Sequence, residues 1–483
     1  MQAVIINFLQ PVLQPFVNQS FYDHYGVALQ PYQLTWIWSL IAALNFIGII
    51  AGGICMAPSL EILGRRDTSM VLRNCVGILG LACAIIAKPT NSWELLALGH
   101  FLCGVALALQ ATLLLYIGEC VPARYRGAVT LMTGVSVQIW MVAAAFFALP
   151  KIFGNRWNWQ FFPCINAIPA IIHLLFSYFF PRSPKFLYIN LQKKSLSLYA
   201  VEFYHGKDVD ANQVLSEYDR EAAIGRDSDA PRSRTASFRT LWHNRHLRLP
   251  FLIVIVASIS SAFSGLPIRS QYSVAMLQSY GVPENKAMVA LLVLNIFFLP
   301  FNILSPLMVE KFGRRPLQLS CVFFGFVSDM LMFAGEIVNT TSVHHAVSSV
   351  IGFAGFMVGT LAVVLGLLLI PQLLIAELCP QSTRSKTTAV ASVLTIFAML
   401  VAVFTFLPLD NAIGAYSYLP MAVLELICFG FLWKFLPETK NQPVDVIVKK
   451  FIKNTESQRD LVEEEGTQDS ETIPLLDGPA AGD

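Results

Sequence analysis

The chain has 483 residues, of which 55% are hydrophobic and 13% are charged, with a net charge of +2. Soluble domains carry about a quarter of charged residues, so this composition excludes an ordinary soluble protein and predicts one embedded in a lipid bilayer. The nearly balanced charge gives no reason to expect nucleic acid as a partner. The nine cysteines stand singly, without the spacing of a metal site, so neither a metal nor another cofactor is expected.

Eleven apolar stretches are long enough to cross a bilayer, which takes about 20 apolar residues in a helix. In chain order they are 34–58, 69–88, 93–117, 128–149, 159–180, 250–280, 287–309, 316–338, 347–376, 387–407 and 417–436. This pattern predicts an all-α, multi-pass membrane protein. Residues 1–33 contain Pro11, Pro15 and Pro31, which are predicted to break any helix there, so this segment is not expected to form a complete twelfth span.

The distribution of basic residues predicts which side of the membrane each loop faces. The segment 181–249 holds twelve of the 33 lysines and arginines, and loops rich in these residues stay in the cytoplasm. This topology places the glycosylation sequons at Asn18 and Asn339 in loops on the outer side, where a glycan can be attached.

The same reading divides the chain into four parts. They are an N-terminal helical half at 1–180, a basic cytoplasmic linker with short helices at 181–249, a C-terminal half at 250–440 and an acidic tail at 441–483. The tail is poor in aromatic residues and is predicted to be disordered. Within it, Glu471 precedes the pair Leu475 and Leu476, an arrangement similar to dileucine signals read by clathrin adaptors. The signal predicts an endosomal or lysosomal membrane, and without it the plasma membrane is expected.

Two motifs occur once in each half of the chain. The sequence GRR stands at 64–66 and again at 313–315, each time directly after an apolar run. A glutamate is followed seven residues later by an arginine at Glu119 and Arg126, and again at Glu377 and Arg384. With PRSPKFL at 181–187 and PETK at 437–440, these motifs resemble those of the sugar porter family of the major facilitator superfamily, which includes the animal facilitative glucose transporters.

The resemblance implies a major facilitator fold of two six-helix halves that transports a solute by alternating access, without covalent chemistry, so an enzyme is not expected. Residues 5–26 resemble the family's first helix from its middle onward, so the chain is expected to begin inside that helix. By resemblance, the cytoplasmic gate consists of Glu61, Gly64, Arg65, Arg66, Glu119, Arg126, Glu310, Arg314, Arg315, Glu377 and Arg384. The alternative is that these charges only fix the membrane topology.

Three gate positions depart from the family pattern. Ile62 stands where the family has an arginine, Arg182 replaces a glutamate, and His100 replaces an arginine. Each change removes or reverses a charge. The gate is therefore expected to be partly loosened.

A sugar site must offer hydrogen bonds, because each buried hydroxyl that loses water without a new partner costs about 1–3 kcal/mol. Several positions at which the family has amide or tryptophan side chains hold other residues here, among them Gly134, Ala262 and Pro267. The cavity is therefore expected to be rebuilt from the residues that remain. The predicted lining is Gly134, Gln138, Ser261, Ala262, Arg269, Gln271, Asn295, Gln372 and Thr395.

Arg269 lies inside the apolar segment 251–280, where an arginine is costly and marks a functional site by default. One interpretation makes it the anchor of an organic anion. The other places it near the outer end, reaching water or pairing with Glu284. Asp329 and Glu425 also lie within spans and are either proton carriers or paired structural charges.

Three functional hypotheses follow. The first is a facilitative transporter of a small polar, sugar-like solute. The second is a transporter of an organic anion, and the third is a sensor or scaffold with little transport activity. Saturable uptake of a sugar or an organic acid would separate the first two from the third.

Overall fold

The structure is a computed structural model that describes residues 5–206, 209, 211–216, 218, 242, 245–341, 345–379 and 381–440. The described residues form helices, turns and loops, with no strand among them. The tail residues Glu471, Leu475 and Leu476 lie outside this part of the chain, and the sorting signal stays a prediction.

The N-terminal half contains six helical segments, several of them divided into two or three consecutive helices. They are α1 (Ile5–Phe8 and Gln10–Tyr25), α2 (Pro31–Ile62), α3 (Gly64–Arg66, Asp67–Leu72 and Arg73–Ala87), α4 (Trp93–Leu109 and Ala111–Cys120), α5 (Ala123–Phe147) and α6 (Phe161–Ser177). The linker that follows carries a π-helical turn, Phe186–Asn190, and a helix, Lys194–His205.

The C-terminal half repeats this plan. Its segments are α7 (Arg245–Phe263 and Leu266–Ser279), α8 (Glu284–Phe312), α9 (Arg314–Thr341), α10 (His345–Ala362, Val363–Leu367 and Leu369–Leu378), α11 (Gln381–Ile413) and α12 (Leu419–Phe435), the last preceded by the 3₁₀ turn Gly414–Tyr418. Gly265 has a φ of +68°, a left-handed conformation that glycine adopts readily, and it interrupts α7.

Eight helical stretches of the described residues are long and apolar enough to cross a membrane, and one of them, Lys386–Phe435, contains most of α11 and all of α12. Two shorter apolar helices, Met132–Phe147 and Phe161–Ser177, belong to α5 and α6. Together these stretches coincide with the eleven predicted spans. The prediction of an all-α, multi-pass membrane protein is confirmed.

The prediction that prolines break any helix in the first 33 residues is wrong for α1. Pro11 lies in the first turn of Gln10–Tyr25, where its missing N–H is not needed. Pro15 lies inside the helix and removes one hydrogen bond. Leu9, Leu13 and Val17 are nonetheless fully buried in the core of the protein, and tertiary packing of this kind stabilises a helix more than its intrinsic propensity does.

The arginine motifs at 64–66 and 313–315 lie at the same end of the bundle, which we call the basic end. The two halves meet toward the opposite end. There Asn411 of α11 donates a hydrogen bond to Thr35 of α2 over 2.7 Å, and the ring centroids of Trp36 and Phe404 lie 5.4 Å apart. The apolar core that includes Leu13 and Tyr272 continues across both halves.

Candidate gate and substrate cavity

The candidate gate of the N-terminal half lies at the start of α3. Gly64 has a φ of +83°, and a side chain there would also overlap the ring of Phe186. This turn directs Arg65 toward α4, where its Nε lies 2.9 Å from Oε1 of Glu119. Ser183 of the linker donates a hydrogen bond of 2.6 Å to the other oxygen of Glu119. The pair therefore ties α3, α4 and the linker together.

The candidate gate of the C-terminal half has the same construction at the start of α9. Gly313 has a φ of +92°, and Nε of Arg314 lies 3.0 Å from Oε1 of Glu377 on α10. Thr439 donates to the other oxygen of Glu377. The predicted association of each GRR motif with a glutamate of the second motif is thus present in both halves, and each pair forms within its own half.

The other predicted gate residues do not share one arrangement, because each has different surroundings. Glu61 is exposed on α2. Arg66 pairs with Asp67 over 3.0 Å, Arg315 donates to the carbonyl of Trp433 over 2.9 Å, and Arg384 donates to the carbonyl of Cys379 over 3.5 Å. The side chains of Arg126 and Glu310 lie outside the described part of the structure, so their gate role stays a prediction.

The two candidate gates differ by an exchange of charge. In the C-terminal half, the carboxylate of Glu438 accepts hydrogen bonds from the backbone N–H groups of Arg314 and Arg315, over 3.1 and 3.2 Å. These N–H groups have no partner within the helix, and the start of a helix favours a negative charge. The corresponding residue of the N-terminal half is Arg182, which pairs with Asp67 instead. Asp67 therefore compensates for the reversed charge at residue 182.

We expect the exchange of charge at residues 67 and 182 to affect the thermal stability of the protein. Asp67→Asn removes the carboxylate that faces two arginines and should lower the melting temperature by about a degree or more, because the shift per kcal/mol decreases with chain length. In Arg182→Glu alone, two carboxylates would face each other, and the loss should be greater. The double variant should recover part of it, because a neutral residue 67 beside a glutamate at position 182 would repeat the C-terminal arrangement. Thermal unfolding of the purified protein measures all three variants, and additive losses in the double variant would contradict the coupling.

Among the predicted cavity residues, the structure brings Gln138 and Asn295 together. Nε2 of Gln138 on α5 donates to the backbone carbonyl of Asn295 on α8 over 3.2 Å, which links the two halves of the protein. Gly134 lies one turn earlier on α5, and a side chain there would meet no atom within 4 Å. Gln372 of α10 is exposed. The place of these four residues in a solute cavity stays a prediction.

Three further predicted lining residues are buried or half-buried. Ser261 and Ala262 are buried near the end of the first part of α7, and Ser261 donates to the carbonyl of Ser258 over 2.7 Å. Oγ1 of Thr395 on α11 is buried and has no hydrogen-bond partner among the described residues. Of these three, Thr395 has the free hydrogen-bonding capacity that a polar solute requires.

Two amide side chains that the sequence analysis did not assign to the cavity lie on α1. Asn7 donates hydrogen bonds to the carbonyl of Arg269 over 3.3 Å and to Oγ of Ser273 over 2.8 Å, which joins α1 to α7. The oxygens of Asn7, Gln10 and Gln271 are buried and without a hydrogen-bond partner in the described part of the chain. The signal for Asn7 and Gln10 in the sequence is that they are polar residues in an apolar stretch. They were not assigned to the cavity because the prolines predicted that this segment forms no helix.

The structure corrects the expectation that Arg269 reaches water or pairs with Glu284. Arg269 is only 6% exposed, and its Nη1 lies 3.0 Å from Oγ of Ser328 on α9. The break at Gly265 turns the second part of α7 so that this side chain points into the C-terminal half. Its guanidinium therefore contacts α9 of its own half. This position does not support an organic-anion site between the halves.

The sequons also differ from expectation, because both lie in helices and not in loops. Asn18 belongs to α1 and Asn339 to the last turn of α9. The amide nitrogen of Asn339, which would carry the glycan, donates a hydrogen bond of 2.9 Å to the carbonyl of Ser279. For Asn339 the hydrophobic run marks the end of the span only to within a few residues. For Asn18 the error comes from the prolines, which led to the prediction that no helix forms in this segment.

A groove of about 560 Å³ lies on the surface of α9 and α12 at the basic end, between residues such as Arg315, Phe323 and Trp433. All its lining residues belong to the C-terminal half. It is mainly apolar and does not face α1–α6. We therefore do not assign it to the path between the halves.

Two six-helix halves with matching charged pairs at one end are the architecture of a membrane transporter of the major facilitator type. Residues 3–451 match the family described as "Sugar (and other) transporter". This chain belongs to that family, and its members are transporters and not enzymes. The predictions of fold, family and transport function are confirmed.

Individual relatives are distant but cover most of the chain. The facilitated glucose transporter member 7 of Mus musculus, in solute carrier family 2, is 24% identical over 91% of this chain and 84% of its own length. Member 5 of Bos taurus is 26% identical over 93% and 88% of the two chains. Member 4 of Homo sapiens is 27% identical over 92% and 86%.

Solved structures show the same fold. The inward open conformation of the xylose transporter XylE from E. coli has a TM-score of 0.68, with 18% identity over 92% of this chain and 97% of that one. The proton:xylose symporter XylE bound to 6-bromo-6-deoxy-D-glucose has a TM-score of 0.67, with 18% identity over 93% and 97% of the two chains.

Proposed function

We propose that this protein transports a sugar-like solute by facilitated diffusion, and that the solute binds between the halves. The observation that carries the proposal is the set of buried amide oxygens of Asn7, Gln10 and Gln271, which have no hydrogen-bond partners among the described residues. A sugar hydroxyl is a donor that suits such oxygens. An organic anion would need a cation in their place, and the guanidinium of Arg269 faces Ser328 instead.

The relatives support the same class of solute. Three of them are described as facilitated glucose transporters, and the XylE structure holds a halogenated glucose. The pairs Gln138 with Asn295 and Asn7 with Ser273 join the halves toward the opposite end. We therefore propose that the solute enters this conformation from the basic end, which the lysine and arginine distribution places in the cytoplasm.

Uptake of radiolabelled hexoses, pentoses and organic acids into proteoliposomes tests the proposal. We expect saturable flux of at least one sugar and none of the organic acids. Saturable flux of an organic acid alone would favour the anion hypothesis, whereas no flux of any solute would favour the sensor or scaffold. Protein-free liposomes give the background.

The variant Gln271→Leu is expected to raise the KM for the transported sugar about tenfold or more, with little change in the maximal rate. Its amide oxygen is buried without a partner among the described residues, and losing one hydrogen bond to a buried hydroxyl costs about 1–3 kcal/mol. Gln278→Leu is the matched control, because Gln278 lies on the same helix and is exposed. An equal KM in both variants would remove Gln271 from the site.

A further inference from the structure

Three ionisable side chains form a buried cluster in the C-terminal half, at the interruption of α7. Arg269 follows the break at Gly265, Asp329 lies on α9 and Glu425 on α12. Their exposed fractions are 6%, 1% and 0%. None of the three belongs to the gate or to the amide set described above.

The surrounding glycines locate the members of this cluster relative to one another. A methyl group on Gly265 would lie 2.6 Å from Oδ1 of Asp329 and 3.0 Å from Nη1 of Arg269, so these two side chains are neighbours at the break. A methyl group on Gly325 would lie 2.7 Å from Oε1 of Glu425. Gly325 is one helical turn before Asp329 on α9, so Glu425 lies one turn further toward the basic end.

The charges of the cluster do not balance if all three groups are ionised. Both carboxylate oxygens of Asp329 and of Glu425, together with Nη2 of Arg269, have no hydrogen-bond partner among the described residues. One positive charge then faces two negative charges away from water, and an uncompensated buried charge costs several kcal/mol. Protonation of one carboxyl removes that cost and leaves one positive and one negative charge.

The other titratable groups near the cluster do not supply the missing positive charge. They are Cys321 on α9, Cys428 on α12, Tyr280 at the end of α7 and Tyr418 before α12. Thiols and phenols are neutral in the proton-bound form, with ordinary pKa values of about 8.5 and 10. The balance therefore depends on the two carboxyl groups, and Asp329 is the one beside Arg269.

We propose that Glu425 is a proton-binding site and that Asp329 and Arg269 connect it to the interruption of α7. The proton comes from bulk water and converts the carboxylate to a neutral carboxylic acid. Release of the proton leaves two carboxylates, one beside Gly265 and one beside Gly325. The backbone carbonyl of Arg269 accepts a hydrogen bond from Asn7 that joins the two halves. This hydrogen bond must break when the end opposite the basic end opens. The charge of the cluster therefore lies next to a contact that changes during transport.

Infrared spectroscopy of the purified protein in lipid nanodiscs tests this site without knowledge of the solute. A protonated carboxylic acid has a carbonyl stretching band that is separate from the carboxylate bands. We expect Glu425→Gln to lose the intensity of one protonated carboxyl. Asp329→Asn should lose the same intensity, because Arg269 then balances Glu425. Arg269→Gln should gain about as much again, and Glu284→Gln, which changes an exposed acid, should match the wild type.

An unchanged protonated band in Glu425→Gln would overturn the proposal, as would a band that persists at full intensity in Asp329→Asn. A measurement on the unaltered chain covers the case in which a variant fails to fold. Carbon-13 labelling of all glutamates should shift a protonated carboxyl band of the wild type. If only labelling of the aspartates shifts such a band, Glu425 does not hold the proton.

Discussion

Replacing Gly48 with alanine is expected to lower the free energy of unfolding by about 1–3 kcal/mol, the usual cost of overpacking a well-packed interface. A methyl group on Gly48 of α2 would overlap the carbonyl oxygen of Phe101 on α4, and one on Gly104 of α4 would overlap that of Asn45 on α2. Backbone atoms have no rotamer by which to move aside, so the helices must separate. Thermal unfolding of the purified protein measures the loss.

The matched control is Gly53→Ala, on the same helix. A methyl group on Gly53 would meet no atom within 4 Å, and alanine is favoured over glycine inside a helix by about 1 kcal/mol. The melting temperature of this variant should equal or exceed that of the wild type. Equal melting temperatures for both variants would show that the close approach of α2 and α4 does not limit the stability of the folded protein.

Much of the fold follows from local properties of the sequence. Apolar length alone locates the eleven predicted spans, because a helix that crosses a bilayer must satisfy its backbone hydrogen bonds internally and present apolar side chains. The spacing of the GRR motifs and of Glu119 and Glu377 also predicts which charges lie at one end. The structure adds the partners, with Arg65 beside Glu119 and Arg314 beside Glu377.

The errors arise where tertiary structure decides the outcome. The proline rule failed for α1 because packing of Leu13 and Val17 into the core outweighs one lost hydrogen bond. The partner of Arg269 could not be predicted, because the break at Gly265 changes the direction of the helix that carries it. Family alignment located cavity positions such as Gly134, but it gave no information on which amide oxygens are left without a partner.

The variant Glu377→Gln is expected to reduce the maximal transport rate about tenfold or more while changing the KM little. Glu377 accepts from Arg314 over 3.0 Å and from Thr439, and it lies at the basic end, away from the proposed solute site. Removing its charge leaves Arg314 without its carboxylate partner, at a cost of about 1–3 kcal/mol for a charged hydrogen bond. Rates of sugar counterflow in proteoliposomes measure the effect.

The corresponding pair of the N-terminal half offers a second variant for this experiment. Glu119→Gln changes the corresponding pair with Arg65 and should have a similar effect, since both pairs hold the start of one helix against another in their own half. Glu202→Gln alters an exposed acid of the linker helix and should leave the rate unchanged. If Glu377→Gln instead raises the KM and leaves the maximal rate constant, the charge acts on solute binding. The two pairs would then belong to the binding site and would not control the movement of the halves.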